Sequence, residues 1–159
     1  MTDYNSLNYS EQGGAAWVVG GSLTITGTLD TTNAAATPGA IRVVAEPLAA
    51  VATAGGVLAW ENPTAGAILV HSLILDITTA STGASAIDAG VAANGTTLSD
   101  TLIDGGAGNA VGVLNSANGG TNGRMARKVA AGEFVTASQA SGDVTGLVGV
   151  AYISYSVIG

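Results

Sequence analysis

The sequence predicts an all-β fold, an antiparallel β-sandwich or jelly roll with a short N-terminal β arm, on three observations. Apolar and polar residues alternate with a period of two in several runs, Asn-Gly turn signals fall between those runs, and no apolar stripe of period 3.6 survives for three turns. Helix formers are scarce, because charged residues make up 9% of the chain while 24 of its 159 residues are glycine. A chain of this length buries roughly 70% of the surface its unfolded form exposes. One domain of this size therefore folds without a disulfide or a metal, which suits 0 Cys.

Taken in order, the first strand signals are residues 17–19 and then 22–28, where Ser22, Thr24, Thr26 and Thr28 alternate with Leu23 and Ile25. Residues 30–39, Asp-Thr-Thr-Asn-Ala-Ala-Ala-Thr-Pro-Gly, are small, polar and closed by a Pro-Gly turn signal, so a boundary is expected there. The chain accordingly divides into an N-terminal module, residues 1–29, a connector, residues 30–56, and a main β domain, residues 57–159. Within the connector, residues 41–54 suit either a link or an edge strand. Shorter strand candidates are 41–44, 57–60, 86–91, 101–103, 111–114 and 129–136.

The longest alternating run is 67–79. It sets Leu69, Leu73, Leu75 and Ile77 on one face and Ile68, Val70, Ser72, Ile74, Asp76 and Thr78 on the other. Residues 147–158 are apolar on both faces, with Leu147, Ala151, Ile153, Tyr155 and Val157 opposite Val148, Val150, Tyr152 and Ile158. Such a strand lies between two layers, or between one layer and another subunit. Asn94-Gly95, Asn118-Gly119-Gly120 and Asn122-Gly123 supply the turn chemistry that hairpins need.

Composition also bounds function. Four basic against 11 acidic residues give a net charge of -7, which opposes binding to a phosphate backbone or an anionic lipid surface. Neither nucleic acid nor a membrane is expected as a partner. The apolar runs are far shorter than the roughly 20 residues a membrane helix needs, and the first six residues carry no basic stretch leading into an apolar one, so no secretory signal is expected.

Candidate chemistry is sparse. The single histidine, His71, precedes Asp76 by five residues, the raw material of a Ser-His-Asp arrangement, but no nucleophile-elbow pattern accompanies it and a hydrogen-bonded structural histidine is the simpler reading. One His and no Cys do not make a usual zinc ligand set, so neither a metal nor a cofactor is expected. The glycine cluster of residues 104–112 fails the nucleotide-loop spacing and has Ala110 where a calcium nonapeptide carries its Asp, which leaves a surface loop. The acids Asp76, Asp88, Asp100, Asp104, Glu133 and Asp143 are dispersed and read as solvated loop charges. Arg124, Arg127 and Lys128 gather three of the four basic residues in one stretch, suited to an intersubunit contact or an acidic partner, with an ordinary solvated loop as the alternative.

The most specific pattern lies near the start. Tyr9-Ser10-Glu11-Gln12-Gly13-Gly14-Ala15-Ala16-Trp17-Val18-Val19-Gly20-Gly21-Ser22-Leu23-Thr24-Ile25 resembles the opening of tailed-bacteriophage head fiber proteins, in which an E-Q-G-G element precedes a short apolar run, G-G-x-L and an alternating strand. More loosely, Trp60-Glu61-Asn62-Pro63 leading into residues 67–79, then Asp88-Ala89-Gly90-Val91, then Gly146-Leu147-Val148-Gly149-Val150-Ala151-Tyr152-Ile153, looks like the small jelly-roll domains of phage capsid decoration proteins.

The resemblance implies a virion structural protein on the outer capsid surface. It would be a homotrimer that contacts the major capsid protein, cements or decorates the head, and is not an enzyme. On that reading Glu11, Gln12, Trp17, Val19 and Leu23 are candidates for capsid or subunit contact, with Trp17 the best anchor because buried tryptophans often dominate interfaces. A core role within the chain suits Trp17 nearly as well. A glycan- or receptor-binding surface module is the alternative, with Trp60, Tyr152 and Tyr155 as its aromatic platform.

Overall fold

A computed structural model of the chain describes residues 40–158 with their side chains and, ahead of them, the backbone of residues 8–10 and 17–19. The chain divides into two compact units, Met1–Ala35 and Ala36–Gly159. In the first, β1 (Asn8–Ser10) pairs antiparallel with β2 (Trp17–Val19), Tyr9 standing opposite Val18. Trp17 and Val19 thus belong to a strand. Glu11, Gln12, Leu23 and the expected strand at 22–28 lie outside the described residues.

The second unit is the predicted antiparallel sandwich. Its strands are β3 (Arg42–Leu48), β4 (Leu58–Glu61), β5 (Ile68–Thr79), β6 (Ser85–Ala92), β7 (Ile103–Ala107), β8 (Gly112–Asn115), β9 (Arg127–Val129), β10 (Phe134–Gly142) and β11 (Val148–Val157), with a 3-10 turn at Ser116–Asn118. One sheet has the order β3-β11-β5-β8, with β9 also paired to β5, and the other has the order β4-β10-β6-β7. Strands that follow one another in sequence mostly change sheets. The first and last strands of the unit become neighbours, which is the wrapped order of a jelly roll. Residues 42–48, expected as connector or edge strand, are an edge strand, so the sandwich begins there rather than at residue 57.

The central strand β5 departs from simple alternation. Ser72 pairs with Ser154 and Val70 with Tyr155, which leaves His71 as an extra residue with nothing opposite it. This β-bulge shifts the phase of the strand. Ile68 and Val70 on one side of it, and Leu73, Leu75 and Ile77 on the other, all become fully or almost fully buried. The expected division of residues 67–79 into two faces is therefore corrected in its first half. Ile68 and Val70 are core, and Leu69 is only half-buried opposite Lys128. A perfect period of two would have turned one of these two sets to solvent.

Two further expectations are corrected. Residues 129–136 are not one strand, because the chain turns at Gly132, which has a φ of 76°, and passes from β9 in one sheet to β10 in the other. Asn62 holds that crossing, its Nδ2 donating to the carbonyls of Ala130 (2.9 Å) and Gly66 (2.9 Å), while the Ala130 amide donates to the Glu133 carboxylate at 2.7 Å. The glycine cluster is also not purely a loop. Asp104-Gly105-Gly106-Ala107 forms most of β7, an edge strand where pairing to β6 is possible without bulky side chains.

The core between the sheets combines aliphatic side chains such as Leu75, Ile87, Leu102, Val135 and Ile153 with one aromatic pair. Trp60 on β4 and Tyr155 on β11 reach across from opposite sheets, their ring centroids 5.3 Å apart at 53°. At 8% and 6% exposure they tie the layers together and offer no platform to a ligand. Truncating Trp60→Ala is expected to cost about 3–5 kcal/mol, read as a fall in the urea midpoint with an unchanged m-value.

Candidate functional site

The two sheets treat their outer faces differently. On the β4-β10-β6-β7 sheet, the residues that point away from the core are mostly small or polar, Ala59, Thr136, Ser138, Asp88 and Gly90, with Phe134 at the start of β10 as the bulky exception, packed under Gly95. Loops of the same chain lie over them. The Gly55 amide donates to Ser138 Oγ at 2.7 Å, and Thr136 Oγ1 donates to the Thr97 carbonyl at 3.0 Å. Gly90 lies so close beneath the covering loop that a Cβ there would come to 2.6 Å from the Thr101 amide nitrogen. Thr136 and Ser138 are consequently fully buried although they face outward.

The β3-β11-β5-β8 sheet has the opposite character. Register places Ala45, Tyr152, Ile74 and Asn115 in one row across it and Pro47, Val150, Asp76 and Val113 in the next. Val43 continues this face along β3, and Val148 along β11. Val43 and Val113 are 66% and 60% exposed, Val148 is 52% and Tyr152 is 38%. The face is mainly apolar, with Asp76, Asn115, Ser72 and Ser154 among its residues, and is uncovered by the described residues. Sequence reading saw half of it, the two-sided apolar character of residues 147–158, but missed the β3 and β8 flanks because each is a short run whose partner strand is distant in sequence.

Among the residues singled out for chemistry, His71 hydrogen-bonds Ser156, Nε2 to Oγ at 2.9 Å, at the bulge. Asp76 does not reach it, because five residues of extended strand separate the two by about 16 Å. The pair is therefore a structural histidine satisfied by a neighbouring serine. Arg124, Arg127 and Lys128 do not converge either. Arg124 Nη1 folds back on the carbonyls of Thr121, Asn122 and Gly123, at 3.3, 3.3 and 2.8 Å, while Arg127 Nε donates to the Thr101 carbonyl at 3.2 Å. Successive strand residues point to opposite sides, so Lys128 leaves for the outer face beside Leu69. Of the aromatic platform only Tyr152 is exposed, since Trp60 and Tyr155 are core.

A cleft of about 350 Å³ opens between β7 and β8, lined by Asp104, Gly106, Leu114 and Asn115 among others. Its polar groups serve the fold: Asp104 accepts from the Asn122 amide at 3.0 Å, and Asn115 caps the 3-10 turn by accepting from the Ala117 amide at 2.8 Å. Nearby, Asp88 accepts from the Gly105 amide at 2.8 Å, and Asp100 accepts from Asn122 Nδ2 at 2.8 Å. These dispersed acids are turn and loop fasteners. Asp143 behaves likewise, held below the ordinary carboxylate range by the hydroxyl and amide of Thr145.

Burial raises the Asp88 carboxyl above its ordinary value; the Gly105 amide opposes this, and the charges of Asp104 and Asp100 add to the rise. A raised folded-state value means that ionised Asp88 costs stability above that value and costs nothing once it is protonated in both states. Asp88→Asn, which keeps an oxygen for the Gly105 amide, is expected to raise Tm at pH 7. The difference from wild type should close as the pH falls below the ordinary carboxylate range, as thermal melts across pH would read.

No family model, curated protein or solved structure matches this chain.

Proposed function

We propose that this chain is a structural protein of a tailed-bacteriophage particle, sitting on the outside of the head, where it decorates or cements the capsid as a homotrimer against the major capsid protein. The observation that carries the reading is a charge-poor sandwich with one outer face covered by its own loops and the other left apolar. A lone subunit in water has no use for such a face, whereas a subunit of an assembly does. The opening pattern of residues 9–25, with its resemblance to head fiber proteins, falls in a compact unit separate from the sandwich and suits a capsid-anchoring or trimer-nucleating role. A jelly-roll order is common to capsid and lectin domains, so on its own it supports the class and not the role.

The role is one of binding and mechanical support rather than catalysis. Contacts made through small, apolar, preformed strands require little ordering on assembly, which favours a protein that must add to a finished shell. The glycan-binding alternative loses two of its three aromatic residues to the core and has no observation in its favour. Immunogold electron microscopy with antibody to the purified chain, on purified particles from a lysate of cells carrying the gene, is expected to label heads. Particles that carry no label and contain no peptide of this chain by mass spectrometry would overturn the reading.

A further inference from the structure

We propose that the bare face of the β3-β11-β5-β8 sheet is the contact between copies of this chain, the β3 flank of one subunit meeting the β8 flank of the next around a closed ring. The proposal names the surface used by the homotrimer and rests on that reading.

Charge selects a second copy as the occupant. The chain carries 11 acidic against 4 basic residues, so two copies repel through most of their surface. Across the two full rows of this face, Asp76 is the one charged side chain. The opposite outer face presents Glu61 and Asp88, beneath and beside loops that carry Asp100. An acidic chain therefore has one broad surface on which it can meet itself at low electrostatic cost.

Area supports the same occupant. The exposed parts of Val43, Val113, Val148 and Tyr152 amount to on the order of 400 Å², the size of the largest apolar patch on a typical monomer, which is often functional. With Ala45, Pro47, Val150 and Ile74 the face approaches the roughly 800 Å² that one partner contributes to a stable interface.

Geometry gives the contact its direction. The two most exposed valines of this face sit on opposite edges of the sheet, Val43 on β3 and Val113 on β8, with β11 and β5 between them. A contact from one edge to the other is heterologous and closes into a ring when the rotation permits. In a three-membered ring the central residues, Tyr152 and Ile74, face the axis.

The test is solution mass by light scattering after size exclusion, on the full-length chain. Wild type is expected at three times 15.3 kDa. Val43→Asp and Val113→Asp, each at a position already exposed in the subunit, are expected to shift the mass toward a single 15.3 kDa chain while retaining the strand circular-dichroism signal. Leu98→Asp, at an exposed apolar position on the covering loop of the other sheet, is expected to leave the trimer intact. Combining Val43→Asp with Val113→Lys is expected to restore assembly, because the opposite charges then meet across each contact. A trimer that survives both single substitutions would overturn the proposed surface and leave the homotrimer standing. Failure of the paired substitution to restore a trimer lost in both single variants would overturn the edge-to-edge arrangement. A monomeric wild type would remove the trimer and this contact together, with the head-surface assignment still judged by immunogold labelling.

Discussion

The long pairing of β5 with β11, shifted in register at His71 and again between Val148 and Gly149, is the constraint on which the rest of the sandwich depends. These are the two central strands of their sheet, and every other strand of that sheet hangs from one of them. A straight twelve-residue strand would present either Ile68 and Val70 or Leu73, Leu75 and Ile77 to the core. The bulge lets it present both sets. Fully burying side chains of this kind is worth about 1.5–3 kcal/mol each, so one unpaired residue secures several such contributions. On the other side of β5, in the gap between its pairings with β8 and β9, the Leu73 amide donates to Ser116 Oγ at 3.0 Å. His71 itself is held by Ser156.

From that strand pair outward, the molecule is asymmetric. One sheet is sealed by loops that approach it closely because glycine and hydroxyl residues line the contact. Gly55, at a φ of 68°, turns the 53–56 loop so that its amide meets Ser138. The other sheet has bulky aliphatic groups in the equivalent positions and no covering segment among the described residues. A buried polar face closed by hydrogen bonds is complete as it stands; an open apolar face is stabilised only when something excludes water from it. The same difference in side-chain chemistry thus separates a finished surface from one suited to assembly.

Much of this order was legible in the sequence, and the failures have definite physical causes. The period of two located the strands β5, β6 and β11 to within a residue or two, because each has one face in the core, and the short β8, with only Leu114 partly buried, was placed to within a residue as well. It missed the phase change in β5, since a bulge depends on how the partner strand pairs and leaves no mark in local alternation. It merged β9 with β10 because Val129 and Val135 are both core residues, and the intervening turn relies on Gly132 and Glu133 rather than on an Asn-Gly signal. Trp60 and Tyr155 looked like surface aromatics while their positions across the sandwich were unknown; only the strand order brings them to 5.3 Å. Arg124, Arg127 and Lys128 looked like a patch because they are close in sequence, and the strand at β9 sends neighbours to opposite sides. The uncovered face is the clearest case of a feature that sequence shows in part: residues 147–158 announced two apolar faces, while the flanking valines of β3 and β8 join them only through pairings across long stretches of chain.

Closure of the outer face of the β3-β11-β5-β8 sheet by another copy of the chain is the central proposal. Hydroxyl-radical footprinting of the full-length protein, compared at high and at very low concentration, tests this most directly. Tyr152, Val43 and Val113 should be strongly protected at high concentration and become reactive on dilution, while Leu98, exposed on the loop over the other sheet, reacts equally at both. Equal reactivity of Tyr152 and the two valines at both concentrations, at the level their exposure in a single subunit implies, would contradict it.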